Sequence, residues 1–266
     1  MSEAKLSGER RRRWRARGDA PNKDSRLAQI ALAMVLVAVL GALLAGFGTG
    51  QGWWSYAGGL AALAPVFGLA VVGTLLGLFA RFFRKGGKGV ALLAILLGLA
   101  FSVYLGNYAR IASSVPAIHD VTTDLANPPA FRKLPLRADD FADIPKTKHP
   151  GWAALSPYDR WKAIHADAYP DLQSVTLPIR PAQAMAKVEA LAKSTGWRIA
   201  AVDAAGGQLE ATATTRFFKF KDDVVVRVRP APGGSVVDMR SVSRVGLSDL
   251  GANAERIRAF LKELRA

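Results

Sequence analysis

Three long apolar stretches lie between residues 27 and 105, and the lysines and arginines around them gather on one side only. The first runs from Leu27 to Phe47 without a charge, close to the ~20 residues a helix needs to cross a hydrocarbon core of ~30 Å. The second, about Trp53 to Ala80, is long enough to span with tilt, and Pro65 is expected to kink it. The third, about Gly89 to Leu105, is near the short limit. Lipid offers no water to backbone N–H and C=O groups, so each stretch is expected to be a helix. Trp53, Trp54 and Tyr56 open the second stretch, and Tyr104 and Tyr108 close the third, where aromatic rings suit the headgroup level.

Lys5, Arg10–Arg13, Arg15, Arg17, Lys23 and Arg26 precede the first stretch, and Arg81, Arg84, Lys85 and Lys88 separate the second from the third. The connection Gly48–Gly52 carries no charge. The positive-inside rule therefore places the N-terminus and the second connection in the cytoplasm, and three crossings put everything after Tyr108 outside. In a bacterium this is a multi-pass protein of the cytoplasmic (inner) membrane with a periplasmic C-terminal domain. A cleaved signal peptide is the competing reading of the first stretch, but its apolar run exceeds a signal core of ~7–15 residues.

The formal charge of +15 does not imply nucleic acid. The two clusters just named hold 13 of the 36 basic residues, and both flank membrane stretches, where they set topology and meet anionic lipid. Residues 1–26 read as a basic cytoplasmic tail, with Arg10–Arg13 disordered. Cysteine is absent, which excludes disulfides and thiolate chemistry. None of the three stretches contains an ionisable side chain, which argues against transport by this chain alone. Gly73 with Gly77 and Gly41 with Ala45 form small-residue pairs suited to close packing inside a three-helix bundle or to self-association as a homo-oligomer.

Beyond the anchor, residues 109–174 combine many prolines, among them Pro145 and Pro150, with Phe131, Phe141, Trp152, Tyr158, Trp161 and Tyr169. Linkers are poor in aromatics, so this segment is expected to lie as an ordered wrap on a folded domain. It contains one short helix, capped by Ser156 with Pro157 at its first position and Asp159 three residues after the cap. Residues 175–266 read as strand Val175–Ile179, helix Arg180–Thr195, strands Trp197–Asp203 and Gln208–Thr215, a turn near Asp222-Asp223, a strand through Val224, Val226 and Val228, strand Ser235–Arg244 and helix Ala252–Arg265. The expected fold is a three-helix all-α anchor plus an α+β domain: an antiparallel sheet in the order β-α-β-β-β-β-α, with its helices on one face.

Two segments could carry chemistry. Around Arg240–Arg256, Val237, Met239, Ser241 and Ser243 share one face of a strand, and Asp238, Arg240, Val242 and Arg244 take the other. Ser248 or Asp249 is placed to cap the following helix, whose amides, with Arg244 and Arg256, could hold an anion. The alternative is a plain helix cap held by Arg–Asp hydrogen bonds. In Ile118–Asp124, one histidine and two carboxylates fall within a short span that could act as acid and base or join a metal site, or simply shape a turn. His149 and His165 have no matching partners nearby in sequence. No GxSxG elbow, HExxH, P-loop or dinucleotide fingerprint occurs, and no cofactor or metal is implied.

The segment IHDVTTDLANPPAF (118–131) together with RSVSRVGLSDLGANAERIRAFL (240–261) resembles the bacterial and plant family catalogued as domain of unknown function 1499, over roughly residues 115–264. The resemblance implies no activity and carries over no catalytic residue. Two motifs at opposite ends of one domain suggest that His119, Asp120, Thr123, Asp124, Arg240, Ser241, Ser243, Arg244, Asp249 and Asn253 meet in space as a ligand- or anion-binding group.

The leading expectation is a non-enzymatic envelope protein whose periplasmic domain binds a partner protein or an anionic or lipidic ligand beside the bilayer. A membrane-tethered hydrolase or transferase using His119, Asp124 or Asp249, and an accessory subunit of a larger membrane complex, are the rivals.

Overall fold

A computed structural model describes residues 23–138, 141–142, 144, 149 and 151–266. Residues 1–22 of the basic tail, including the Arg10–Arg13 run expected to be disordered, lie outside the described residues, as do Pro145 and Pro150 of the wrap. The described residues form two compact units. One comprises the chain up to Gly46 with Gly58–Asn107, and the other Phe47–Ala57 with Tyr108–Ala266.

The first unit is helical and takes most of α1 (Lys23–Gln51), α2 (Tyr56–Ala61), α3 (Leu63–Phe83) and α4 (Lys88–Ser114), while the end of α1 from Phe47, the start of α2 to Ala57 and the end of α4 from Tyr108 fall in the second. Three stretches are long and apolar enough to cross a membrane: Arg26–Gln51, Tyr56–Phe83 and Lys88–Ser114. The first and third outrun the apolar runs read from sequence, because helical hydrogen bonding continues through polar residues such as Asn107 and Arg110, while the second keeps its length and is shifted three residues along the chain. The second is interrupted at Ala62. Pro65 supplies no N–H and its ring crowds the carbonyl four residues earlier, that of Ala61, so α2 stops there.

Small residues let these helices approach. A Cβ on Gly73 would stand 3.0 Å from the Ala31 carbonyl oxygen, and one on Gly77 would stand 3.3 Å from that of Ala91. Ala45 is buried and Gly41 faces Val66. The small-residue pairs are therefore occupied inside the bundle.

The second unit holds the sheet. Its strands are β1 (Asp120–Thr122), β2 (Val175–Leu177), β3 (Arg198–Asp203), β4 (Gln208–Thr214), β5 (Lys221–Ala231) and β6 (Gly234–Ser243), and its helices are α5 (Pro157–Ala168), α6 (Pro181–Ser194) and α7 (Ala252–Arg265). The strand order is β1-β6-β5-β4-β3, all antiparallel, with β2 lying end to end with β1 along β6. Helices α6 and α7 cover one face, through Met185, Val188 and Ala192 of α6 and Ile257, Phe260, Leu261 and Leu264 of α7. The strands answer with Leu209, Ala211, Val224, Val226, Val237 and Met239, the alternate residues that β-pleating turns to one side.

Two expectations need correction. The motif around Asp120 forms β1, a strand missing from the order read from sequence. Asp222 and Asp223 sit inside β5, with the turn displaced to Thr215–Phe220. Carboxylates are poor strand formers, but here Arg256 and Arg244 satisfy them from the two faces.

Candidate functional site

Strand β1 pairs with β6 in the register Asp120↔Val242, Val121↔Ser241, Thr122↔Arg240. This pairing brings together most of the residues singled out in the two motifs, but distributes them over opposite faces of the sheet.

On the helix-covered face, Ser241 Oγ donates to Asn253 Oδ1 at 2.7 Å. Asn253 Nδ2 donates to the His119 carbonyl at 2.9 Å and to Ser243 Oγ at 3.0 Å. Arg256 donates to Ser241 Oγ at 2.9 Å, to Asn253 and to Asp222. His119, Ser241 and Asn253 have no solvent exposure. The Ser241 proton rests on an amide oxygen, which has no basicity to activate a nucleophile.

On the opposite face, Arg240 Nε donates to both oxygens of Asp120, at 2.9 and 3.1 Å, and a further bond runs from its Nη2. Phe131 and Phe141 stack over the guanidinium, each centroid 5.9 Å away. Asp238 accepts from Arg227 and Arg229, both at 2.9 Å, and both arginines also reach Asp124. Arg244 holds Asp223 through two 2.8 Å bonds, and this contact raises the guanidinium above its ordinary pKa.

These charges would normally need water. Here residues 123–137 cross the face as a strap and replace it. Arg227 donates to the Asn127 carbonyl at 2.9 Å, and Gln208 to that of Ala130 at 3.0 Å. Glu210 accepts successive backbone amides from Arg132, Lys133 and Leu134 at 2.7–2.9 Å, a nest around one carboxylate. Arg137 closes the strap on the Gly246 carbonyl at 2.8 Å. Beside Arg244 and Asp223 remains a niche of about 10 Å³, the room of one water.

The start of α7 is likewise filled. Asp249 accepts from the Gly251 amide at 2.9 Å and the Asn253 amide at 2.7 Å, so the helix amides expected to face an anion hold an internal carboxylate instead. Burial pushes the Asp249 carboxyl up against the pull of those amides. His119, Asp124 and Asp249 do not converge. The Asp249 amide bonds to the Ile118 carbonyl at one end of β1, while Asp124 follows its other end and turns to the charged face. Among the described residues, no group of three His, Asp or Glu side chains is arranged to hold a metal.

Four residues lay outside the candidate set read from the sequence. Glu210 and Asp238 alternate with the core residues of their strands, a pattern that marks a second buried face. His165 has a partner after all, since its Nε2 accepts the Thr122 amide at 3.0 Å. Trp161 Nε1 donates to the Asp120 carbonyl at 2.8 Å, so α5 lies along the unpaired margin of β1. Burial pulls the His165 pKa down to about 4. Ser156 caps α5 as expected, accepting the Asp159 amide at 3.1 Å.

An open cleft of about 590 Å³ lies in the same unit, where the chain leaves α4. Val115, Trp152, Ile164, Asp167, Ala168 and Tyr169 line it. Burial, seconded by Asp249, raises the Tyr169 phenol to about 12.

These features define a class: a helical segment with three candidate membrane spans joined to an antiparallel α+β domain whose motif charges are buried or half-buried and held by partners within the domain. A comparison with protein families matches residues 120–264 to the family described as "Protein of unknown function (DUF1499)", and the chain belongs to it. A comparison with curated proteins finds no match.

Proposed function

We propose that this chain is a non-catalytic envelope protein that presents its α+β domain on the extracytoplasmic side of a bacterial inner membrane and binds an amphiphilic, lipid-like ligand there. The cleft of about 590 Å³ carries this reading. Its size lies within the ~300–1,000 Å³ of ordinary ligand sites, and it combines an apolar lining from Val115, Trp152 and Ile164 with a single carboxylate, Asp167. The saturated charges around Asp120 and Arg240 support a structural role for the signature motifs. The orientation rests on the basic residues that flank α1 and separate α3 from α4, and on the uncharged connection after α1.

Native mass spectrometry of the full chain released from lipid nanodiscs tests the reading. A retained lipid adduct is expected for the wild type and is expected to be lost in Ala168→Trp, which fills the cleft. A wild-type chain that emerges free of lipid overturns the proposal.

A further inference from the structure

The hairpin between β4 and β5 has the sequence Thr215-Arg-Phe-Phe-Lys-Phe-Lys221, three rings interleaved with three cations and no acid. The loop is held in one shape. The Thr215 amide donates to the Phe220 carbonyl and the Phe220 amide to Thr215 Oγ1, both at 2.8 Å. Phe218 stacks on Phe220 with centroids 5.2 Å apart, and Phe217 meets Phe218 edge-on at 5.3 Å. Phe217 nevertheless remains 46% exposed at the tip. Arg216, Lys219 and Lys221 are exposed, and among the described residues none of them pairs with a carboxylate. Phe218 and Phe220 are half-buried against each other, but holding the exposed Phe217 ring at the tip among three unpaired cations gains the fold little, so the tip is shaped for something outside it.

The same compact unit says what that is. Residues 47–57 belong with the sheet domain, and Gly50 lies against the hairpin: a Cβ built on it would stand 2.8 Å from Lys219 Cγ. Gly50 is the penultimate residue of the candidate span Arg26–Gln51, and the end of a span lies at headgroup depth. Phe47, Trp53 and Trp54 cluster around this turn, with Trp53 61% exposed, as interfacial aromatics do.

We infer that the Arg216–Lys221 hairpin is a second membrane contact of the domain, inserting Phe217 at the headgroup–acyl boundary while Arg216, Lys219 and Lys221 pair with anionic lipid phosphates. The occupant is a bilayer surface. Cations unpaired in the protein complement anionic lipid, and Phe at their side supplies the apolar anchor. This contact is independent of the cleft described above, and either can fail without the other.

The chain has no cysteine, so a single reporter can be placed cleanly. The full chain carrying Phe217→Cys is labelled with a polarity-sensitive fluorophore and reconstituted into vesicles of phosphatidylcholine, alone or mixed with phosphatidylglycerol, that contain lipid spin-labelled near the headgroup. Ala205→Cys, in the β3–β4 turn at the opposite end of β4, is the control, and Arg216→Cys gives a second reading at the tip. Quenching severalfold stronger at positions 217 and 216 than at 205 is expected. It should rise with phosphatidylglycerol and lose that dependence when Lys219 and Lys221 are changed to Gln in the Phe217→Cys chain. Equal quenching at 217 and 205 overturns the inference and leaves the loop to a soluble partner. Strong quenching that ignores phosphatidylglycerol overturns the role given to the cations.

Discussion

Asp120 and Arg240 meet across the β1–β6 pair, the carboxylate fully buried and the guanidinium nearly so, with Arg240 Nε at 2.9 and 3.1 Å from the two carboxylate oxygens. Removing one partner of such a pair strands a charge in a dry interior, at about 3–5 kcal/mol. Asp120→Asn and Arg240→Met should each lower the unfolding free energy of the full chain in mild detergent by that amount, read as a fall in the urea midpoint. The double variant Asp120→Asn/Arg240→Met should be less destabilised than the two losses added together. Tryptophan fluorescence reports the transition, and strict additivity would show that the pair is not coupled.

Glu210 organises the strap through three consecutive amides. Glu210→Gln keeps the shape but loses the charge that draws those donors, a loss of about 1.5–3 kcal/mol for bonds to a charged group. Amide hydrogen exchange should accelerate at Arg132, Lys133 and Leu134 while the strand amides of β4 and β5 keep their protection. Unchanged exchange in the strap would contradict the cradle.

His165 makes stability depend on pH. Burial lowers its pKa in the folded chain from 6.5 to about 4, so the unfolded chain binds the proton first as the solution is acidified. Its contribution is complete above about pH 6.5 and declines as pH falls to about 4, a loss of roughly 3 kcal/mol. His165→Gln should flatten that slope in thermal midpoints measured across the interval, whatever its effect on stability at neutral pH.

Asp249 closes the start of α7 by accepting the Gly251 and Asn253 amides. Asp249→Ala should cost about 1 kcal/mol, the usual loss of a capping side chain, and lower the thermal midpoint accordingly. Asp249→Asn, which keeps an acceptor, should recover part of it.

The apolar periodicity of α6 and α7 and the alternation of Val224, Val226 and Val228 made most of the α+β domain readable, because each pattern reports one buried face. Strand β1 escaped because Asp120–Thr122 is short and buried on both faces, so no alternation survives. Asp222 and Asp223 suggested a turn because their partners, Arg256 and Arg244, lie 21 or more residues away, and distant pairing leaves no local mark. That the two motifs lie near each other was suggested by their standing at opposite ends of one domain. Their division between two faces of the sheet was not, since that required knowing the register of β1 on β6.

Trp161 and His165 bond to the outward Asp120 carbonyl and Thr122 amide of β1, and at the far side of the sheet β3 slips register between Ile199 and Ala201. At these places the sheet margin offers a neighbouring chain no straight, vacant ladder on which to add a strand. In a chain with three candidate membrane spans, confined to a plane, such interruptions disfavour growth into ribbons by strand addition.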